Sequence, residues 1–295
     1  MTLDARTSHE AAHQRAALLV EALPYIQRFR GRVVVVKYGG NAMVDPALAT
    51  TFAEDIVLMR SVGIRPVVVH GGGPQISELM GRLGMRPEFL DGQRVTDAET
   101  IDIARMVLVG KVSRDIVGSI NLHGPLAVGV SGEDAQLIVA QARHPDLGFV
   151  GDVGTVNPAI LERLLAEDLI PVISTIGADT AGQAYNINAD AVAGAVATAL
   201  RAEKVIYLTD VAGLLADTSD PHSVISQIDA AALDALVQDG TLTGGMIPKI
   251  DACLRAVRGG VGSAHLLDGR LPHVLLLELF SDAGVGTMIT DREAT

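Results

Sequence analysis

The sequence has no tryptophan, only four tyrosines and five phenylalanines, so it lacks the aromatic platforms on which unpaired nucleobases stack. A single cysteine, Cys253, excludes a disulfide framework and fits a reducing compartment. It falls in helical register with Met246, Ile250 and Val257, the place of a small buried hydrophobe. Basic residues are scarce as well. Against 35 aspartates and glutamates stand 23 lysines and arginines, a net charge of −12, which argues against nucleic acid and anionic membrane as the main partners. No apolar run reaches the length of a membrane span: Glu21 interrupts the stretch after Leu18, and His273 and Glu278 interrupt 271–280. The expectation is a soluble, cytoplasmic protein with no nucleic-acid and no membrane partner. There is no CxxC pair or zinc-ligand spacing, so no metal site built from protein ligands is expected. Also missing are a Ser-His-Asp order around a nucleophile elbow, the GxxxxGK(S/T) loop, and a GxGxxG after a strand.

What is present begins at Val33–Asn41, VVVVKYGGN. A short β-branched run ending in Gly-Gly reads as a strand buried on both faces, with a tight loop at its C-terminal end. Residues 67–74, VVVHGGGP, repeat the idea, and between them Phe52, Ile56 and Met59 lie at helical spacing, stopped by Gly63. Strand, helix, strand makes a right-handed unit whose two glycine loops emerge at one edge of a parallel sheet. Pro74 opens the next helix with its amides aimed at the second loop, and Lys37 stands beside the first. This is a phosphate site.

The remaining chain alternates strand and helix without an internal repeat, which predicts a three-layer α/β sandwich around a mostly parallel central sheet. Ahead of the first strand, 8–30 carries the apolar stripe Leu18, Leu19, Leu23, Ile26 and Phe29, with a kink expected at Pro24. That helix packs either on another subunit or back on its own domain. Asp91-Gly92 marks a hairpin with Arg94 on its returning arm, and Thr96-Asp-Ala-Glu99 reads as a capping box for a helix through Val109. Short antiparallel strands are expected over 137–156. A turn-rich stretch at 177–184 is the expected lobe boundary, dividing the chain into 1–30, 31–176 and 177–295. Beyond it come YNINAD, the strand KVIYLTD, and the third glycine-rich loop at 243–249.

Polar residues at strand C-termini and helix N-termini face the ligand in such a sheet. Here they are Lys37, Gly39, Gly40, Asn41, Gly71–Gly73, Asn186, Asp190, Thr209, Asp210 and 244–249. Two lysines, each beside a glycine loop, with an aspartate between them, suit phosphoryl transfer, where positioning and charge neutralisation outweigh acid–base chemistry.

Six stretches in order, VVVVKYGGNAM, PVVVHGGGPQI, GQRVTD, YNINAD, LTDVAGL and GGMIPK, resemble the acetylglutamate kinases of the amino acid kinase family, over essentially the whole chain from Val33. The resemblance implies phosphorylation of the γ-carboxylate of N-acetyl-L-glutamate by ATP with Mg²⁺, the second step of arginine biosynthesis. By position, Lys37 and Lys249 correspond to the lysines that stabilise the transferring phosphoryl group, Gly40 and Gly72 to glycines whose amides hold it, and Asp190 to the aspartate that orients both lysines. Arg94 and Asn186 correspond to the grip on the substrate α-carboxylate, lined by Gly72 and Gly73. Gly39, Asn41, Thr209, Asp210, Gly213, Leu214 and Met246 fall with the nucleotide cleft. The segment DGRLPHVLLLELFSDAGVGTM, with His265 before it, resembles the signature of the arginine-sensitive members. This implies L-arginine as allosteric inhibitor at Tyr25, Lys204, His265, Glu278 and Gly284, and a homohexamer, a trimer of dimers joined by N-terminal helices. The rival readings are a sister kinase acting on another carboxylate or carbamate, and a non-catalytic arginine sensor. A sensor has no use for Lys37, Asp190 and Lys249 together.

Overall fold

The computed structural model describes residues 13–14, 16–43, 45–217, 220, 223–238, 246–281 and 284–291. The expected disorder at 1–8, Gly244 and Gly245 of the third glycine loop, and the side chain of Asn41 lie outside the described residues.

The valine run forms β1 (Val33–Tyr38), with Val34, Val35 and Val36 fully buried because both faces of the strand are covered. Helix Pro46–Ser61 follows, begun by Asp45, whose Oδ1 accepts the Ala47 N–H at 2.8 Å, and the chain returns in β2 (Arg65–His70). After helix Gly73–Arg82 comes the expected hairpin, β3 (Phe89–Leu90) and β4 (Gln93–Arg94), turning through Asp91 and Gly92, both at positive φ. Then follow β5 (Ala127–Ser131), β6 (Ile138–Ala142), β7 (Val150–Val156), β8 (Ile170–Ser174), β9 (Ile176–Ala178), β10 (Ala184–Ile187), β11 (Lys204–Thr209), β12 (Gln227–Asp229), β13 (Ser263–Asp268) and β14 (Thr287–Thr290).

Eight strands form the central sheet in the order β12-β14-β13-β11-β1-β2-β8-β5. All its pairs are parallel except β13 with β14. Successive residues point to opposite faces, so Val35, Val67 and Val69 join the core beneath helices Ala189–Ala199 and Ile247–Arg258, whereas Val34, Val36 and Val68 join the core beneath Pro46–Ser61. Strands β10, β7, β6 and β9 close into a small four-stranded barrel beside the main sheet. The main sheet runs unbroken from one half of the chain to the other through the β1–β11 pair, and the expected 176/177 boundary falls inside β9.

At Pro24 the helical run is interrupted as expected: Ala22 keeps helical dihedrals and its N–H bonds to the Leu18 carbonyl at 3.1 Å, and helix Leu23–Phe29 continues from there with Pro24 in its first turn. Phe29 is 2% exposed, but Leu18, Leu19 and Leu23 are 63%, 72% and 48% exposed, so among the described residues the apolar stripe is covered toward its C-terminal end. Two local expectations change. The cap of helix Ala98–Arg105 is Asp97, whose Oδ1 accepts the Thr100 N–H at 2.8 Å, while Thr96 turns its hydroxyl back to the Arg94 carbonyl. That helix also does not stop near Val109: it passes through a π-helical segment, Met106–Val112, into helix Ser113–Asn121.

Candidate active site

At the C-terminal edge of the sheet, Lys37 of β1 meets Asp190 in the first turn of helix Ala189–Ala199. Asn188 starts that helix by accepting the N–H groups of Asp190 and Ala191 on its Oδ1, at 2.8 and 3.2 Å. Lys249 lies in the first turn of helix Ile247–Arg258, with Pro248 pre-set for a helix start. Lys37 Nζ is 3.1 Å from Asp190 Oδ1, off the hydrogen-bonding direction, and Lys249 Nζ donates to Asp190 Oδ2 at 3.1 Å. Burial alone would raise the Asp190 carboxyl, but the charges of Lys37 and Lys249 outweigh it and hold its pKa below the ordinary carboxylate value. Two cations on one buried carboxylate leave a net positive charge at the site, brought together from the two halves of the chain.

The glycine loops surround this group. A Cβ on Gly39 would stand 2.7 Å from Lys37 Nζ. Gly40 has φ +69°, and a side chain there would meet Asp210 Oδ1 at 2.8 Å. Across the loop after β2, a Cβ on Gly72 would strike Leu108 Cδ2 of the π-helical segment at 2.6 Å, whereas Gly73 has nothing within 4 Å and opens its helix toward free space. A buried histidine supports this loop from below. His70 is 0% exposed, its Nδ1–H donates to the Gly71 carbonyl at 2.9 Å, and its Nε2 has no hydrogen-bond partner among the described residues. Burial lowers its pKa to about 4, so the ring is neutral.

Arg94 is buried with no carboxylate among the described residues near its guanidinium. Nη2 donates to the Gly73 carbonyl at 2.9 Å and to Ser77 Oγ at 2.7 Å, Nη1 reaches Met80 Sδ at 3.4 Å, and the group stacks over the Phe89 ring. A buried cation held only by neutral groups is costly unless an anion completes the site. Asn186, half-buried on β10, is placed by its N–H bond to the Phe149 carbonyl at 2.9 Å.

The other positions expected on the nucleotide side divide. Thr209 curls the end of β11 by donating to the Val211 carbonyl at 2.9 Å, and Asp210 comes beside Gly40. Gly213 and Leu214 lie against β14, where Thr287 Oγ1 accepts the Leu214 N–H at 2.8 Å and Leu214 is buried. Met246 immediately precedes the helix that carries Lys249.

Lys204, His265, Glu278 and Gly284 form a second cluster at the other end of β11 and β13. Lys204 Nζ and Ser263 Oγ lie 2.9 and 2.8 Å from His265 Nε2, and His265 Nδ1 is 2.7 Å from Glu278 Oε1. Glu278 Oε2 also accepts the Val285 N–H at 3.1 Å, with Gly284 alongside. Burial lowers Lys204 to about 8 and lowers His265. Burial pushes Glu278 upward, but His265, the Val285 N–H and Lys204 together leave its carboxyl below the usual value. Phe29 sits under this group, its ring 5.4 Å from Lys204 Nζ, and Tyr25 of the same helix is half-buried. Sequence reasoning missed Ser77, Ser263, Phe29 and His70. Ser77 stands four residues after Gly73, a same-face helical spacing that signals it; the others carry no local signal.

A model of the amino acid kinase family matches residues 32–268. Acetylglutamate kinase from Acidothermus cellulolyticus is 54% identical over 290 residues, covering 95% of this chain and 97% of that protein. Acetylglutamate kinase from Rhodococcus jostii is 55% identical, covering 94% and 92%. Among solved structures, N-acetylglutamate synthase from Neisseria gonorrhoeae, complexed with coenzyme A and N-acetyl-glutamate, superposes with a TM-score of 0.82 at 27% identity over 95% of this chain. The chain spans 64% of that synthase's length. The same synthase complexed with coenzyme A and L-arginine gives a TM-score of 0.81 at 26% identity, over 94% of this chain and 65% of that one.

Proposed function

The chain belongs to the amino acid kinase family, with acetylglutamate kinases as relatives over nearly its whole length, and from that premise we propose that it transfers the γ-phosphoryl group of ATP to the γ-carboxylate of N-acetyl-L-glutamate in arginine biosynthesis. The observation that carries this reading is the pair of lysines bridged by Asp190 between two glycine loops, with Arg94 buried against the Gly73 carbonyl and lacking an acidic partner among the described residues. A γ-carboxylate has an ordinary pKa of about 4.3, so the nucleophile is already ionised at neutral pH and no general base is needed. The obstacle is charge. Two unit charges about 4 Å apart repel by about 4 kcal/mol at an effective dielectric near 20, and the γ-phosphate carries more than one.

In this reading Arg94 and Asn186 hold the α-carboxylate against Gly72 and Gly73. The γ-carboxylate oxygen forms a bond to the γ-phosphorus as the bond to the leaving ADP oxygen breaks, ADP keeping the electron pair. Lys37, Lys249 and the amides of Gly40 and Gly72 offset the charge of the phosphoryl group in flight, and Asp190 keeps both lysines aimed at it. Gly39, Asn41, Thr209, Asp210, Gly213, Leu214 and Met246 form the nucleotide side. Mg²⁺, carried in this reading mainly by the ATP phosphates, would supply further neutralisation of phosphate charge. Residues 31–176 then serve as the acid-binding lobe and 177–295 as the nucleotide lobe.

We further infer that L-arginine inhibits the enzyme at Lys204, His265, Glu278, Gly284 and Tyr25, and that the protein is a cytoplasmic homohexamer. Support comes from the preassembled cluster with its lowered Glu278 carboxyl, which suits a guanidinium, and from the largely exposed apolar stripe before β1. No helix among the described residues is long and apolar enough to cross a membrane. ADP formation in a coupled assay tests the whole reading. N-acetyl-L-glutamate should drive turnover, glutamate and carbamate should drive little, and arginine should suppress it. Turnover that is equal on carbamate refutes the assignment.

A further inference from the structure

Beneath the two lysines lies a buried hydroxyl that the proposed reaction leaves unused. Tyr207 on β11 stands opposite Lys37 of β1 in the sheet register, and its ring joins the core beneath helices Ala189–Ala199 and Ile247–Arg258. The residue is 0% exposed, and its hydroxyl has no hydrogen-bond partner among the described residues. The tip of the ring lies where the two helices meet. A Cβ on Gly194, in the first helix, would stand 3.0 Å from Tyr207 Oη, 3.2 Å from the Ala252 carbonyl oxygen and 3.7 Å from Ala256 Cβ, both of the second. The missing side chain at Gly194 lets the two backbones approach, and the hydroxyl oxygen occupies the space beside it.

The same two helices carry the charges of the site. Asp190 lies four residues before Gly194 and Lys249 three before Ala252, so the meeting point is about 5–6 Å along each axis from the ion pair. Burial pushes the Tyr207 hydroxyl well above its ordinary pKa, with Cys253 and Asp190 acting in the same direction, so it stays neutral. A buried hydroxyl without a partner is costly to keep, and phenylalanine would place the same ring without that cost. The oxygen therefore works against stability, at a point where a shift of either helix reaches the site directly.

We propose that the Tyr207 hydroxyl is a positioning group for the phosphoryl-transfer site, an inference that rests on the reaction proposed above. Held by a strand of the sheet, its oxygen is the stop that sets the separation of the two helices. That separation places their first turns, and with them the 3.1 Å contact between Lys249 Nζ and Asp190 Oδ2. Without the oxygen the helices close, and with a methyl added at Gly194 they part. Either shift mis-aims Lys249.

The test uses the full chain carrying Tyr207→Phe, Gly194→Ala or both, read by denaturation midpoint and by steady-state kinetics on N-acetyl-L-glutamate and ATP. Tyr207→Phe should hold or raise the midpoint and yet lower kcat about tenfold, with both KM values within about twofold of wild type, because a small misplacement of Lys249 acts on the transition state. Gly194→Ala should also lower kcat about tenfold. The double variant exchanges an oxygen for a methyl at one spot, so it should turn over faster than either single variant. A tyrosine with only a structural role would lose stability and turnover in step. The proposal is overturned if Tyr207→Phe keeps wild-type kcat, if its midpoint falls together with kcat, or if the two losses multiply in the double variant. Crystal structures of wild type and Gly194→Ala read the Asp190–Lys249 separation without reference to any acceptor. A changed separation with no turnover of N-acetyl-L-glutamate by wild type supports the positioning role and counts against the proposed reaction alone; an unchanged separation overturns the positioning role.

Discussion

In the proposed reaction, charge placement at single residues carries the chemistry. Lys37→Ala and Lys249→Ala each remove one preorganised donor, and each should cost about 3–4 kcal/mol of transition-state stabilisation, roughly a hundred- to a thousandfold in kcat. Steady-state kinetics check this; near-normal turnover in either variant removes the role assigned to it. Arg94 already spends Nη2 on Gly73 and Ser77, and only a planar fork can do so while still presenting donors to a carboxylate. Arg94→Lys should therefore raise KM for N-acetyl-L-glutamate by about tenfold or more with KM for ATP little changed. His70 makes a pH prediction. Its folded pKa of about 4 lies below the ordinary 6.5, so between those values the unfolded chain binds a proton that the folded chain refuses. Its contribution to stability is whole above pH 6.5 and falls, by on the order of 3 kcal/mol, as the pH drops through the window to about 4. Asp55 opposes it: burial raises that carboxyl to about 6, so its contribution is present at low pH and is lost as the pH rises through that value. Denaturant unfolding of wild type and His70→Asn at pH 7 and pH 4.5 separates the two. The asparagine keeps a donor for the Gly71 carbonyl without titrating, so the variant should lose less stability on acidification; equal losses show that His70 is not the titrating group.

Among the elements, helix starts place the proposed catalytic groups. Asp190 and Lys249 both lie in first turns, where a shift of the helix end moves the charge directly. Asn188 fixes one of these ends through two amide contacts. Asn188→Ala should cost about 1 kcal/mol of stability, read from the denaturation midpoint, and should lower kcat as well because Asp190 loses its anchor. Asn188→Ser should restore most of the stability. A variant that lost activity with no change in stability would point to contact with substrate in place of a capping role. The π-helical turn works from the opposite side, where Leu108 and Val112 fill the space beneath Gly72, so the glycine loop after β2 rests on packed side chains as well as on its own hydrogen bonds.

At the scale of the molecule, the proposed regulation and the proposed assembly both depend on the segment before β1. The structure divides that segment. Phe29 is buried in the core and sits under Lys204, whereas Leu18, Leu19 and Leu23 are exposed. Removal of residues 1–22 therefore spares the core contact and should yield an active enzyme of smaller assembly with reduced response to arginine. Light scattering and an arginine titration check both parts, and a truncated protein that stays hexameric and fully inhibited refutes the proposed junction. Glu278→Gln is the companion variant. It keeps the shape around Val285 and His265 but loses the charge, so activity should persist while the arginine needed for half-inhibition rises by about tenfold or more, the typical range for a coupling of 1–3 kcal/mol.

The sequence by itself determined the sheet, the two glycine loops, the hairpin carrying Arg94 and the identity of the charged residues. Each of these is written in local terms: an unbroken β-branched run, a Gly-Gly or Asp-Gly turn, a lysine at a strand end. It also determined where Cys253 would lie, since helical register alone buries it. Tertiary structure alone decided the rest. That Asp190 takes both lysines at 3.1 Å depends on bringing residues from distant parts of the chain to one edge of the sheet, a contact no spacing encodes. The lone Nε2 of His70, the support of Gly72 by the π-helical turn, the division of the apolar stripe at Phe29 and the burial of the Tyr207 hydroxyl between two helices have the same origin. They follow from which surfaces pack together after the elements form, because burial and close contact are properties of pairs of segments and are not carried by either segment alone.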